Sequence, residues 1–173
     1  AGRGIGREIA INLAEEHFSV GLIGRNEREL NEVADVCRQH GVKAECYPVD
    51  LNRAEALKDL AAKIAGDLGG ITVLVNNAGV CIERDIREAT IEEWDTTFNV
   101  NLRAVFALSK AALPYLEQTE GAAIINISSI ADQRTYAEGT MYSASKHGLA
   151  GLTGSLFHDV HEKGIKVCAI SPG

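Results

Sequence analysis

Residues 142–146 read YSASK. Tyr142 and Lys146 are four apart, so on a helix they stand on one face, one above the other. A phenol with an ammonium beside it is an acid–base couple. A free phenol has a pKa of about 10 and is a poor base at neutral pH. A positive charge about 4 Å away supplies roughly 4 kcal/mol at an effective dielectric near 20, which eases loss of the proton about a hundredfold to a thousandfold. On an exposed helix the same pair is an ordinary solvated face, so its meaning depends on what converges with it.

A second chemical feature opens the chain. In AGRGIG, Gly4 and Gly6 precede an amphipathic stretch. A glycine-rich turn at a helix N-terminus suits a pyrophosphate, because backbone N–H groups and the helix dipole both point at it. About 20 residues on, dinucleotide sites that take NAD often place an acid against the ribose 2′-hydroxyl, whereas an arginine accommodates a 2′-phosphate. Here GRNE puts Arg25 at that point, and Arg3 lies inside the glycine turn. The expected cofactor is NADP(H), with Arg3, Gly4, Ile5, Gly6 and Arg25 around its phosphates. Asp50, after the next strand, is placed to accept from the adenine amino group, with Leu51 beside it.

These residues need elements to hold them. Helical spacing runs through 3–17 (Ile5, Ile9, Leu13, Ala14), 26–40 (Leu30, Val33, and Val36 or Cys37), 53–68 (Leu57, Leu60, Ala61, Ile64, Leu68), 90–118 and 139–163. Thr90 with Glu93 three residues later predicts a capping box at the start of the long helix. Trp94 and Phe98 are expected to pack as core on that helix. Short apolar runs at 19–24, 42–49, 71–76, 122–128 and 165–171 read as strands, with Pro48 near the end of the second. Strand and helix alternate, which argues βαβ units, and continuously apolar strands fit a parallel sheet covered on both faces. The predicted fold is α/β, a doubly wound, Rossmann-like parallel sheet in three layers, and residues 1–173 form one domain. No strand precedes the glycine turn, and the chain stops at SPG after a strand. The expectation is therefore a fold truncated at both ends, with a gap where the first strand belongs and poor stability for the isolated polypeptide.

Bulk composition narrows the class. The chain of 173 residues is 46% hydrophobic and 24% charged, with a net charge of −7. Nothing is basic enough to suggest nucleic acid or an anionic membrane surface. Four scattered cysteines without a CxxC fit free thiols in a reducing compartment, so the cytoplasm is the expected location. His158 and His161, three apart, lack a further ligand in view and read as surface; no metal is expected.

Taken together, AGRGIG, VDL (49–51), NNAG (76–79), NVNL (99–102), ISS (127–129), YSASK and SPG (171–173) resemble, in order and spacing, the short-chain dehydrogenase/reductase family. The combination is specific where YxxxK alone is not, and the overall pattern is similar to the 3-oxoacyl-carrier-protein reductases. Gly4 and Gly6 match the second and third glycines of that family's TGxxxGxG. The resemblance implies Asn101, Ser129, Tyr142 and Lys146 as catalytic residues. It also places Asn77, Ala78 and Gly79 at the border of the cofactor, and Pro172 and Gly173 near the nicotinamide. Lys146 would hold the ribose hydroxyls, Ser129 would orient the substrate oxygen, and Asn101 would hold a water leading from Lys146 to solvent.

The implied reaction is hydride transfer between NADP(H) and a carbonyl or secondary alcohol, possibly on a 3-oxoacyl thioester; sugars, steroids and small ketones remain open. The rival readings are a cofactor-sensing module without turnover and an inert truncation. On helix 139–163, Ala144, Gly148, Gly151 and Ser155 form a stripe free of bulk, apart from the greasy stripe of Leu149, Leu152, Leu156 and Val160. Two packing faces on one helix fit core on one side and a close helix contact on the other. The family builds a dimer interface there, so a homodimer or homotetramer is expected.

Overall fold

The structure is a computed structural model and describes every residue except 54–56 and 58. In chain order the elements are α1 (Gly4–Glu15), β1 (Val20–Gly24), α2 (Glu27–Arg38), β2 (Ala44–Pro48), α3 (Leu60–Leu68), β3 (Val73–Asn76), α4 (Ile91–Phe98), α5 (Ala104–Leu116), β4 (Ala123–Ile127), α6 (Thr140–Val160) and β5 (Lys166–Ile170). The first turn expected for the 53–68 helix lies partly outside the described residues.

All pairing is parallel. β1 lies beside β2, with Val20 opposite Ala44. β3 pairs with β4, Val73 opposite Ala123, and β4 with β5, Ala123 opposite Lys166. Side-chain alternation divides β1 and β2 between two cores. Val20, Leu22 and Ala44 join Ala10 and Ala14 of α1 and Leu30, Val33, Ala34 and Cys37 of α2. Ile23 and Tyr47 turn the other way, onto Leu57, Leu60 and Ile64 and onto Ala104 and Leu108 of α5. A third core puts Ile124 against Leu116, Val160 and Ile165. The fold is the expected α/β Rossmann-like arrangement, and the sheet is split at its centre, where the gap was expected. Among the described residues β1 and β3 share no ladder, so two strands and three strands form separate sheets. Between them runs an apolar groove of about 310 Å³ lined by Ile9, Leu13, Val20, Ile23, Val73 and Val75 among others.

Two helices differ in detail from the expectation. On α1 the buried face is Gly6, Ala10 and Ala14, while Ile5 is exposed and Ile9 and Leu13 face the groove. Small side chains are inside because α1 lies close against α2. The stretch expected as one helix over 90–118 is interrupted by a π-helical turn, Asn99–Arg103, between α4 and α5. Trp94 is a correction. It is 38% exposed and stacks on Phe98 at 4.1 Å between centroids, outside the three cores. The only residue α4 buries is Thr97, so its aromatic side chains cover its flank.

Candidate active site

The site is assembled at the C-terminal ends of β1 to β5, where strands of such a sheet deliver their loops. β4 ends at Ile127 and hands on Ser128 and Ser129. Ser129 caps a short 3-10 turn, Ile130–Asp132, its Oγ accepting from Ala131 N at 3.2 Å. After a loop the chain enters α6, whose first two turns carry Tyr142 and Lys146. Lys146 is buried, 4% exposed, and its Nζ donates to Ile127 O at 2.9 Å. The ammonium stands 5.7 Å from the centroid of the Tyr142 ring. Burial pushes the Lys146 ammonium below the usual lysine range, while Asp132 and then Cys81 pull it back up. Tyr142 and Ser129 are half-buried and open toward the loops.

Asn101 occupies the middle of the π-helical turn and is 1% exposed. Such turns are rare and concentrate at functional sites. The turn points the amide at the loop after β3: Nδ2 donates to Val80 O at 2.8 Å and Oδ1 accepts from Val80 N at 2.8 Å. Nδ2 also donates to Ser145 Oγ at 3.0 Å. The first task of Asn101 is thus to clamp the NNAG loop between the long helix and α6. A Cβ built on Gly79 would lie 3.4 Å from Asn101 Oδ1 and 3.9 Å from Lys146 Nζ. That close approach joins the NNAG loop to the Tyr142–Lys146 pair.

Next to this pair lies a groove of about 900 Å³. Its walls include Arg3, Gly4, Arg25, Asp50, Leu51, Asn77, Ala78 and Gly79, eight of the residues expected around a nucleotide. Ile5, Gly6, Tyr142, Lys146, Pro172 and Gly173 do not line it; Lys146 reaches it only through Gly79. Ile5 points to solvent. Gly6 works one layer down, where a Cβ would come within 2.5 Å of Asn77 Nδ2, so its bareness lets the glycine turn sit against the NNAG loop. Gly4 has φ +56°, a left-handed backbone that glycine adopts without strain. Pro172 accepts from Ile130 N at 3.0 Å, tying the end of the chain to the Ser129 segment. Asp50 spends one oxygen on Asn52 N at 3.0 Å, an Asx turn that shapes the rim. Bare glycines, two exposed arginines and the N-terminal end of α1 fit the phosphates and sugars of a nicotinamide dinucleotide.

Sequence reading missed several members of the site. Asn26 and Arg28, at the start of α2, also line the groove. Ser145 lies between Tyr142 and Lys146 and supports Asn101. Beneath the site runs a buried polar chain: Asn76 Nδ2 donates to Asn126 Oδ1 at 2.9 Å and to Ser109 Oγ at 3.3 Å, and Asn126 Nδ2 donates to Thr153 Oγ1 at 2.9 Å. An asparagine inside the apolar run AAIINIS was the available signal. His158 and His161 are exposed, their rings 6.2 Å apart. No helix among the described residues is long and apolar enough to cross a membrane.

Comparison with known proteins agrees with this geometry. The family model for short chain dehydrogenases matches residues 1–173. An uncharacterized oxidoreductase of Staphylococcus aureus (strain MRSA252) is 35% identical over the whole chain, which spans 74% of that protein. A short chain dehydrogenase from Burkholderia cenocepacia J2315, solved in complex with NADP, superposes with a TM-score of 0.95 at 32% identity, covering 99% of this chain and 70% of its own. Carveol dehydrogenase from Mycobacterium avium, in complex with NAD, superposes with a TM-score of 0.93 at 27% identity, covering 99% and 67%. The α/β fold with parallel strands is thus shared with these proteins, and this chain belongs to the short-chain dehydrogenase family of nicotinamide-dependent oxidoreductases.

Proposed function

We propose that this protein is an NADP(H)-dependent reductase of carbonyl compounds, or equally a dehydrogenase of the matching secondary alcohols. The observation that carries the reading is the Lys146 ammonium, buried, held on Ile127 O and set 5.7 Å from the Tyr142 ring beside the nucleotide groove. A buried positive charge on one side of a phenol stabilises the negative charge that develops on its oxygen. Tyr142 then passes its proton to the substrate oxygen as negative charge develops there, and takes it back in the reverse direction. Ser129 donates its hydroxyl hydrogen to the same oxygen and orients it, while its Oγ goes on accepting from Ala131 N. Asn101 keeps the loop wall in register and, on the family pattern, would hold a water leading from Lys146 to solvent. A nicotinamide dinucleotide, when bound, supplies or accepts the hydride. Asn77, Ala78 and Gly79 border it, with Pro172 and Gly173 on the opposite strand end.

Arg25 and Arg3, both exposed on the groove rim, support a 2′-phosphate and hence NADP(H) over NAD(H). For the substrate we favour a 3-oxoacyl thioester, on the overall motif pattern. Residues 1–173 act as one nucleotide-binding and catalytic domain. The apolar groove between β1 and β3 has the lining and shape for one more extended strand, which would join the two sheets. The four unpaired cysteines fit a cytoplasmic setting. A shallow depression lined by Phe98, Leu102, Phe106, Gly148 and Leu152, with Phe106 53% exposed, supports self-association to a dimer or tetramer. The deciding experiment compares full-length wild type with Tyr142→Phe across carbonyl substrates. Turnover should fall by roughly 10²–10⁴ while nucleotide affinity, read by fluorescence titration, stays within about twofold. Unchanged turnover in the variant refutes the assignment, and nucleotide binding without any turnover by wild type points to a sensing module.

A further inference from the structure

Asp132 belongs to none of the motifs above, yet it is 8% exposed and sits three residues after Ser129. A carboxylate at that depth needs partners, because burying an uncompensated charge is costly. Its Oδ2 accepts a 2.6 Å hydrogen bond from Ser171 Oγ, at the residue that leads into Pro172 and Gly173. Its backbone N–H closes the turn on Ser129 O at 2.9 Å. Its Oδ1 has no partner among the described residues. The buried cation of this region is Lys146, whose single hydrogen bond among the described residues goes to a neutral carbonyl. The 3-10 turn that carries Asp132 packs directly against α6, which carries Lys146, and the ionisable groups that act on that ammonium are Asp132 from this turn, Cys81 from the loop after β3, and Tyr142 from its own helix. The π-helical turn faces it with the uncharged amide of Asn101.

We propose that Asp132 is a positioning residue: its carboxylate supplies the counter-charge that keeps buried Lys146 an ammonium, and through Ser171 it anchors the strand end that borders the site. Two effects oppose each other at Lys146. Burial favours the neutral amine, and the field of Asp132 favours the ammonium. Only the ammonium stabilises a phenolate on Tyr142. Loss of the Asp132 charge therefore lowers the pH at which the couple fails, without removing any group that touches substrate. The role in turnover rests on the proposed hydride-transfer reading, but the charge relation does not.

The test is a ¹³C NMR titration of full-length, nucleotide-free protein labelled at lysine Cε, with the Lys146 signal assigned by its absence in Lys146→Arg. In Asp132→Asn, which keeps the shape and the Ser171 contact, the Lys146 midpoint should fall by roughly one pH unit. The alkaline limb of kcat/KM should move acid-ward by the same amount. Ser171→Ala, which keeps the charge, should leave the Lys146 midpoint in place and raise KM for the nucleotide. Asp132→Ser is a second neutral variant should the amide fold poorly. A wild-type Lys146 midpoint in a folded neutral variant overturns the proposal, as does a Ser171→Ala shift as large as that of Asp132→Asn. If the wild type proves inactive while the Lys146 midpoint still depends on Asp132, this inference stands and the functional reading fails.

Discussion

Arg25 follows β1 directly and stands exposed on the rim of the nucleotide groove, with Arg3 across the glycine turn. A guanidinium fork on a 2′-phosphate is a charge-assisted, oriented contact, and such bonds contribute about 1.5–3 kcal/mol each. Arg25→Ala should raise KM for NADPH by roughly tenfold or more and leave KM for NADH nearly unchanged, as measured by steady-state kinetics with both cofactors. A wild-type preference for NADH would contradict the assignment. In the loop before α4, Asp85 takes three hydrogen bonds from Arg87, at 2.9, 2.8 and 2.6 Å, which lower its carboxyl from 3.8 to about 2. A depressed folded value means the bonds are fully present above the unfolded value and are lost as pH falls through the folded one. The turn at 85–87 should therefore hold above pH 4 and loosen progressively between about 4 and 2. Asp85→Asn should flatten that part of a pH-dependent amide-exchange profile for residues 84–89. Arg87 is exposed and Asp85 only half-buried, so the pair's contribution to global stability should be small.

At the scale of elements, the polar chain Asn76–Asn126–Thr153 couples β3, β4 and α6 beneath the candidate site. Each member is at most 8% exposed. Asn126→Ala removes a buried hydrogen bond from each of Asn76 and Thr153, which among the described residues keep only Ser109 Oγ and Leu149 O as partners, and leaves a cavity, so it should lower unfolding free energy by about 2–4 kcal/mol in urea titrations. Asn126→Asp should cost at least as much near neutral pH, since it buries a charge. The capping box of α4 is a milder case: Thr90 Oγ1 accepts from Glu93 N, and Glu93 Oε2 accepts from Thr90 N, both at 3.1 Å. Thr90→Ala should cost about 1 kcal/mol. That box was legible in sequence because its partners lie three residues apart. The π-helical turn at Asn101 was not, because helical periodicity continues through it and the extra residue is set by the Val80 clamp from another element. Trp94 was misread for a related reason: spacing marks a face of a helix, and only the neighbours decide whether that face is covered.

For the whole molecule, two open features await partners. β1 and β3 both present unpaired edges to an apolar groove, so a 173-residue chain with that groove vacant should melt at low temperature and without a sharp transition. Extending the chain at its N-terminus with an apolar, β-branched segment long enough to cross the sheet should raise the melting temperature by several degrees or more in calorimetry. On the far side, Gly151 has open space beyond its Cα and Gly148 packs against Leu102. Gly151→Arg should reduce the assembled species to monomer in light scattering without perturbing the cores; an unchanged mass would remove this face as an interface.

Local order carried most of the fold into the sequence. Alternating apolar runs and amphipathic spacing located all five strands, and the choice between Val36 and Cys37 on α2 was settled only by packing, in favour of Cys37. YSASK was readable because its two chemical residues share one helix, so four positions of sequence translate directly into one face. Asp132, Ser171, Val80 and the Asn126 chain were not readable in this way. Their meaning lies in contacts between residues 21 to 50 positions apart, and no local spacing encodes them. Sequence by itself therefore determined which elements the chain forms and which groups are candidates for the chemistry. Tertiary structure alone decided which buried charge faces which, since a field between two side chains depends on their distance in space and on the water excluded between them.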